Sequence, residues 1–396
     1  MTGNAGQPAA GWPGQDPAVT GAGARQTAPG RQRIRLTAPA GLLAAIPHLL
    51  GFHPASSLVI IGARPPHNTV TVTMRYDLPD PPDPRQAARI AAHAAVVLAA
   101  AGAGAAVAVG YGPGQLVTPV IAELQARTAP TLPLTEILRT QDGRYWSYLC
   151  TEPGCCPAEG TPFDPAADPT AAALATERPL PGSRGELAAS IARIKGKAAA
   201  MRRGTTRAEQ RAAALAARSA PAGQRTCARS EIAAAGLGAV ARAIARYRRG
   251  GQLPAGNRAA WLALVLREQR VRDDAWSRML PEYRAAHLRL WQDLTKLAQP
   301  GYVAAPASLL ALVAWQCGNG ALANVALDRA LADDPAYQMA GLLRLALDSG
   351  APPAMANPPM TPEEVAAYYD AEEGKARRSL PRPDGAHRSR AAGSRE

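Results

Sequence analysis

Apolar and polar positions change period partway along the chain. Up to about residue 150 the apolar residues come in short runs. Ser57-Leu-Val-Ile-Ile-Gly-Ala63 is a continuous apolar run and predicts a buried strand. Residues 69–76 alternate β-branched positions and predict its neighbour, and the five-residue link 64–68 is short enough for an antiparallel hairpin. An Ala-rich helical pattern over 85–101 stops at Gly102, and a second buried strand is predicted over 105–111. Gly112-Pro113-Gly114 then turns the chain into a helix over 115–127. The runs 134–140 and 144–149 flank Gln141-Asp142-Gly143, a hairpin signal. Ahead of these, residues 33–36 alternate as a short strand. Pro39 opens a helix over 40–46, Pro47 restarts or kinks it, and Gly51 ends it.

From residue 183 onward the strand pattern is gone, and Ala, Leu and Arg recur at helical spacing. The predicted helices cover 186–201, 206–218, 227–249, 258–269, 273–279, 282–298, 307–317, 321–332 and 336–349. A short helix over 362–373 has Thr361 as its N-cap. The fold class is therefore an α/β N-terminal domain, a mixed sheet with flanking helices, followed by an all-α C-terminal domain. That helical domain ends in a repeat-like hairpin. Aligning the closing proline of the tetratricopeptide pattern on Pro335 puts Ala330, Leu327 and Ala323 at small or apolar sites. The expected organisation is a disordered leader 1–30, an α/β domain 31–150, a Cys/Pro/Gly-rich linker 151–182, a helical domain 183–350 and a disordered basic tail 351–396.

Composition narrows this picture. With only 2 Phe in 396 residues, the interiors must be built from Leu, Val, Ile and Ala. The leader has no apolar core of a signal peptide, and the most apolar run, 94–101, is far short of a bilayer span. The expectation is a cytoplasmic protein with no membrane partner, and five cysteines, an odd number, agree with a reducing compartment. The formal charge of +13 is concentrated. Residues 184–249 carry 15 Lys/Arg against 3 Glu, a local net of +12.

Several blocks resemble one family. Ile46-Pro47-His48-Leu49-Leu50-Gly51-Phe52-His53-Pro54 with Ser56-Ser57-Leu58-Val59 resembles the opening of the actinobacterial domain of unknown function 4192. Trp146, Cys150, Cys155-Cys156-Pro157 and Gly160-Thr161-Pro162 resemble its middle, and Val271-Arg272-Asp273-Asp274 its helical part. Tyr302 to Ala307, Ala314-Trp315, Gly318 to Ala323 and Ala330 to Pro335 resemble its end. The resemblance spans roughly residues 34–353 in one consistent order. It implies architecture and supplies no chemistry.

Candidate chemistry is sparse. Cys150, Cys155 and Cys156 could ligate zinc, but a structural site needs four ligands; the fourth would come from His48, His53 or Cys227. Inward packing of small thiols competes with that reading, and no cofactor is otherwise predicted. His48, His53 and Ser56, with Gly112 and Gly114 after a strand and before a helix, form a candidate ligand site. The glycine spacing is neither a dinucleotide fingerprint nor a P-loop. No catalytic set is complete, so the expectation leans away from an enzyme. Trp315, Asn319 and Asp328 are the candidate partner surface of a non-enzymatic interaction or regulatory module. Alternatives are a small-ligand binder or enzyme with its site near residues 51–57, 110–114 and 150–156, and non-specific nucleic-acid binding through the Arg-rich helices. For Asp273 the expectation is a helix cap, and for Arg272 an ion pair with Asp274 or Asp293.

Overall fold

The computed structural model describes residues 38–66, 68–129, 131–174, 180–218 and 225–378. The expected leader 1–30, the strand over 33–36 and the last residues of the tail, 379–396, lie outside the described residues. The chain forms two compact units, Met1–Ser183 and Arg184–Glu396.

The first unit opens with α1 (Pro39–Leu50), one helix that carries Pro47 inside it. Gly51 ends it in the left-handed region, φ 77°, where glycine has no side chain to clash. The sheet then forms from β1 (Ser57–Arg64), β2 (Thr69–Asp77), β3 (Ala105–Tyr111), β4 (Leu134–Gln141), β5 (Arg144–Ser147) and β6 (Thr161–Pro162). Strand order is β2-β1-β3-β4-β5-β6. Only the β3–β4 pair is parallel; the other pairs are antiparallel. Because β1 sits antiparallel between β2 and β3, those two run the same way. So α2 (Pro84–Ala100) and α3 (Gly114–Thr128) each connect parallel strands, and both steps cross the sheet in the same direction. A single handedness of crossover puts both helices on one face. There Leu58, Ile60, Ala106, Ala108 and Ile137 from the strands pack with Ala91, Ala94, Leu98, Val117, Val120 and Leu124 from the helices. Gly110 permits the tightest of these approaches: a Cβ there would lie 2.1 Å from Val117 Cγ1. The alternate residues Val59, Ile61, Val107, Val109 and Leu138 face the opposite side and are buried too. The middle strands are thus covered on both faces, which is why they read as unbroken apolar runs.

The expected linker is more structured than its prolines and glycines suggest. It contributes β6 and a short α4 (Pro169–Leu174), which packs on α1.

The second unit is helical throughout its described residues: α5 (Arg184–Ser190), α6 (Ala198–Arg218), α7 (Arg225–Arg248), α8 (Asn257–Val265), α9 (Gln269–Ser277), α10 (Arg284–Leu297), α11 (Ala304–Gln316), α12 (Gly320–Asp333), α13 (Gln338–Asp348) and α14 (Pro362–Arg378). One expected break moves. Helices over 186–201 and 206–218 are replaced by a break at 191–197 and an unbroken α6 running through Gly204. Gly204 is there for closeness: a Cβ would sit 2.7 Å from the Gly256 carbonyl carbon beside α8. A second expectation is also corrected. Asp273 lies inside α9 and is no cap; it pairs with Arg272 and accepts from the Tyr369 hydroxyl of α14, while Asp274 pairs with Arg278. Part of the tail expected to be disordered from residue 351 is folded: a 3-10 turn (Pro353–Ala356) and α14 (Pro362–Arg378) lie in it. Thr361 caps α14 reciprocally, its hydroxyl accepting from Glu364 N–H while the Glu364 carboxylate accepts from Thr361 N–H.

All 13 residues of α11 are buried, and its N-terminus is held by a distant carboxylate. Asp333 at the end of α12 accepts from the N–H groups of Gly301, Val303 and Ala304 at 2.7, 2.8 and 3.1 Å.

Candidate functional site

The carboxyl ends of the parallel strands β2, β3 and β4 share one edge of the sheet, the usual place for ligands in α/β sheets. The start of β1 lies at the same edge, because Ser57 pairs with both Asp77 and Tyr111. Two of the expected segments therefore meet. A Cβ on Gly112 would lie 3.9 Å from the Ser56 Cα, and Gly112 has φ 131°, which a side chain would strain. Ser56 itself is in the left-handed region, φ 42°, and its carbonyl accepts from Leu78 N–H at 2.9 Å.

Register places a polar row across one face of this sheet. Ser57, Tyr111, Thr140, Tyr145 and Thr161 are direct partners on successive strands. Directly paired residues share a face and lie within reach of one another. The Ser57 hydroxyl and the Tyr111 hydroxyl are buried without a hydrogen-bond partner, as are His48 Nδ1 and Arg75 Nε. Burial pushes the Tyr111 phenol well above its ordinary range, so it stays protonated and acts as a donor. Burial, then the neighbouring His53, lowers the pKa of His48. His53 is exposed, and its N–H donates to the Pro181 carbonyl at 3.0 Å.

On the edge itself, α3 begins at Gly114 with Pro113 as N-cap and no side-chain cap. Beside Gly114 lies Arg139, whose guanidinium donates to the Gly112 carbonyl and to Gln141 Oε1. Arg139 also lies over the Trp146 ring, 3.6 Å from its centroid. Sequence reasoning missed Tyr111, Arg139 and Trp146 as site members. Only the register reveals them, since their partners lie on other strands.

The third expected segment, the cysteine loop, is built around Trp146. The indole N–H donates to the Ala158 carbonyl at 2.9 Å, and Gly160, φ 82°, packs against the ring. Arg144 donates to the Gly160 carbonyl at 2.8 Å. Ser147 Oγ accepts from Cys150 N–H, and the Glu152 carbonyl accepts from both Cys155 N–H and Cys156 N–H. The three sulfurs lie within 4.8 Å of one another, so the group could hold a metal ion. Adjacent Cys155 and Cys156, which the sequence suggests point apart, have sulfurs 3.5 Å apart; Cys150 and Cys155 sulfurs are 3.0 Å apart. Burial and the neighbouring thiols push Cys156 up to about 12, whereas hydrogen bonding from Cys155 lowers Cys150. This loop neighbours Tyr145 through Cys155 and Cys156. The proposed helpers His48 and His53 are not part of the cluster. Cys227 lies in α7, but its side chain is outside the described residues.

The expected partner surface loses one member. Trp315 is 4% exposed and belongs to the core. Asn319 caps α12, accepting from Leu322 N–H, and Asp328 is bridged to Arg184 and Arg344. The basic stretch is likewise engaged within its own unit. Arg193 donates to Gln299, Arg207 to Asn257 and Arg246 to the Gln252 carbonyl, while Arg211 and Arg248 lie over Trp261 and Tyr283. No described helix is long and apolar enough to cross a membrane.

A family model described as a domain of unknown function, DUF4192, matches residues 39–354. No curated protein and no solved structure matches the chain.

Proposed function

The chain belongs to the DUF4192 family, which carries no assigned activity, and we propose from the geometry that it binds a small polar ligand bearing an anionic group at the sheet edge. One observation carries this reading. Ser57 and Tyr111, directly paired on β1 and β3, bury hydroxyls that nothing bonds. Leaving a buried hydroxyl unpaired costs on the order of 1–3 kcal/mol. Buried polar groups of this kind are completed from outside the chain, by a water or a ligand. At the strand ends beyond Tyr111, the uncapped start of α3 and the Arg139 guanidinium, which lies on the helix-covered face opposite the Ser57–Tyr111 row, favour negative charge. Gly112 and Gly114 let the backbone approach, and Ser56 forms the opposite wall.

The test is a thermal-shift and native mass spectrometry panel of phosphorylated and carboxylated metabolites on the full chain, run beside Tyr111→Phe and Ser57→Ala. At least one compound should raise the wild-type Tm, and either substitution should abolish that rise. The substitutions should not lower the ligand-free Tm, because each removes an unsatisfied polar group. A panel without effect on the wild type, or an undiminished shift in Tyr111→Phe, sinks the proposal.

Zinc on the three cysteines, a cytoplasmic location and a protein partner belong to the same proposal. The odd count of five cysteines supports a reducing compartment. A protein-contact role is favoured by one feature of the helical unit. α13 turns Leu342 and Leu345 outward on one face, each 68% exposed.

A further inference from the structure

The cysteine loop carries an inference beyond the sheet edge. We infer that Cys150, Cys155 and Cys156 hold one zinc ion as a three-thiolate site whose fourth position is open to solvent. Sulfurs around a tetrahedral zinc, at about 2.3 Å from the metal, lie about 3.8 Å apart. The sulfurs here are 3.0 and 3.5 Å apart in two pairs, somewhat tighter than that spacing, and all three lie within 4.8 Å of one another. Small side-chain rotations close the difference.

The loop is preorganised for this. Two consecutive N–H groups, of Cys155 and Cys156, converge on the Glu152 carbonyl and turn both thiols to the same side. Cys150 is fixed through Ser147 Oγ, and the far end of the loop is clamped on the Trp146 ring by Gly160 and the Ala158 carbonyl. A disulfide would use two of the three sulfurs, and the convergence of the third is unexplained by it. Local charge favours a dication. Between Tyr145 and Asp168 the chain carries Glu152, Glu159, Asp164 and Asp168 and no Lys or Arg. The nearest guanidiniums, of Arg144 and Arg139, are committed to the Gly160 carbonyl and to the Trp146 face. On binding, three thiols lose three protons to solvent, Zn²⁺ forms three Zn–S bonds, and one water fills the fourth position. Among the described residues no further His, Cys, Asp or Glu joins the three. Cys155 is exposed, which keeps the fourth position accessible.

Cobalt(II) is the probe. Full-length, untagged, reduced protein is titrated with Co²⁺, then with Zn²⁺. The expected result is one equivalent of tetrahedral Co²⁺ with thiolate-to-cobalt charge transfer of an intensity for three thiolates, bleached by one equivalent of Zn²⁺. Cys156→Ser should weaken zinc binding at least about tenfold, while Cys317→Ser, in the other unit, leaves it unchanged. A reading independent of variants is alkylation of the wild type: zinc should protect these three thiols from iodoacetamide and leave Cys317 as reactive as before. Absence of the charge-transfer band, zinc affinity unchanged in Cys156→Ser, or alkylation of all three thiols at saturating zinc would each overturn the assignment. Because Tyr111→Phe does not touch the loop, failure here and failure of the sheet-edge reading are separately visible.

Discussion

Acidification from pH 8 to pH 5 titrates His287 in the unfolded chain but not in the folded one. The imidazole lies on α10 with no exposed surface, beside Trp291, whose ring centroid is 6.1 Å away. Burial lowers its pKa from 6.5 to about 4; Arg248 and Arg278 oppose its charged form further, and the Arg278 carbonyl only partly compensates. A base whose folded pKa is depressed contributes stability that is complete above its unfolded value. That stability is lost as pH falls from 6.5 towards 4. A difference of about 2.5 units at 1.36 kcal/mol each is about 3 kcal/mol in total, of which about 2 kcal/mol is lost by pH 5. The perturbation is His287→Leu, which keeps an apolar filling and removes the titration. Urea unfolding followed by tryptophan emission reads the helical unit, since Trp261, Trp276, Trp291 and Trp315 lie in it and Trp146 alone of the described tryptophans does not. The wild type should lose about 2 kcal/mol more than His287→Leu between pH 8 and pH 5. Parallel pH profiles for the two proteins, or a His287 resonance titrating at 6.5 or above, would refute the reasoning.

Three N–H groups at the start of α11 converge on Asp333, so Asp333→Ala should destabilise the helical unit by about 2–3 kcal/mol in urea, with Asp333→Asn recovering part of it. A loss under about 0.5 kcal/mol would show that water replaces the carboxylate. Gly110→Ala forces a methyl against Val117 and should cost about 1–3 kcal/mol. Val117→Ala in the same chain should return most of that loss, and additive losses would contradict the packing argument.

Strand positions were legible because each apolar run is short and both faces of the middle strands are buried, as for Ser57 to Ala63 and 105–111. Helix breaks were less so. Gly204 looks like a stop in one dimension and proves to be a contact in three, because its missing side chain makes room for Gly256. The two-residue β6 has no periodicity to read and exists through its pairing with β5. The proposed ligand site is half legible: Ser56 and Gly112 come together, but Tyr111 and Arg139 acquire meaning only from register. Trp315 misled in the opposite direction, because a large aromatic in an Ala-rich hairpin suits a core as well as a surface.

The enclosure of α11 sets how this helical unit can change over time. An ordinary amphipathic helix keeps a wet side on which mutations are nearly neutral, and α11 has none. Ala304, Ala305, Ala307, Ala311 and Ala314 are all buried, so gaining a methylene is as disruptive there as losing one elsewhere. Tolerated substitutions should therefore fall on exposed positions of the neighbouring helices, such as Leu342 and Leu345 of α13, and not on α11.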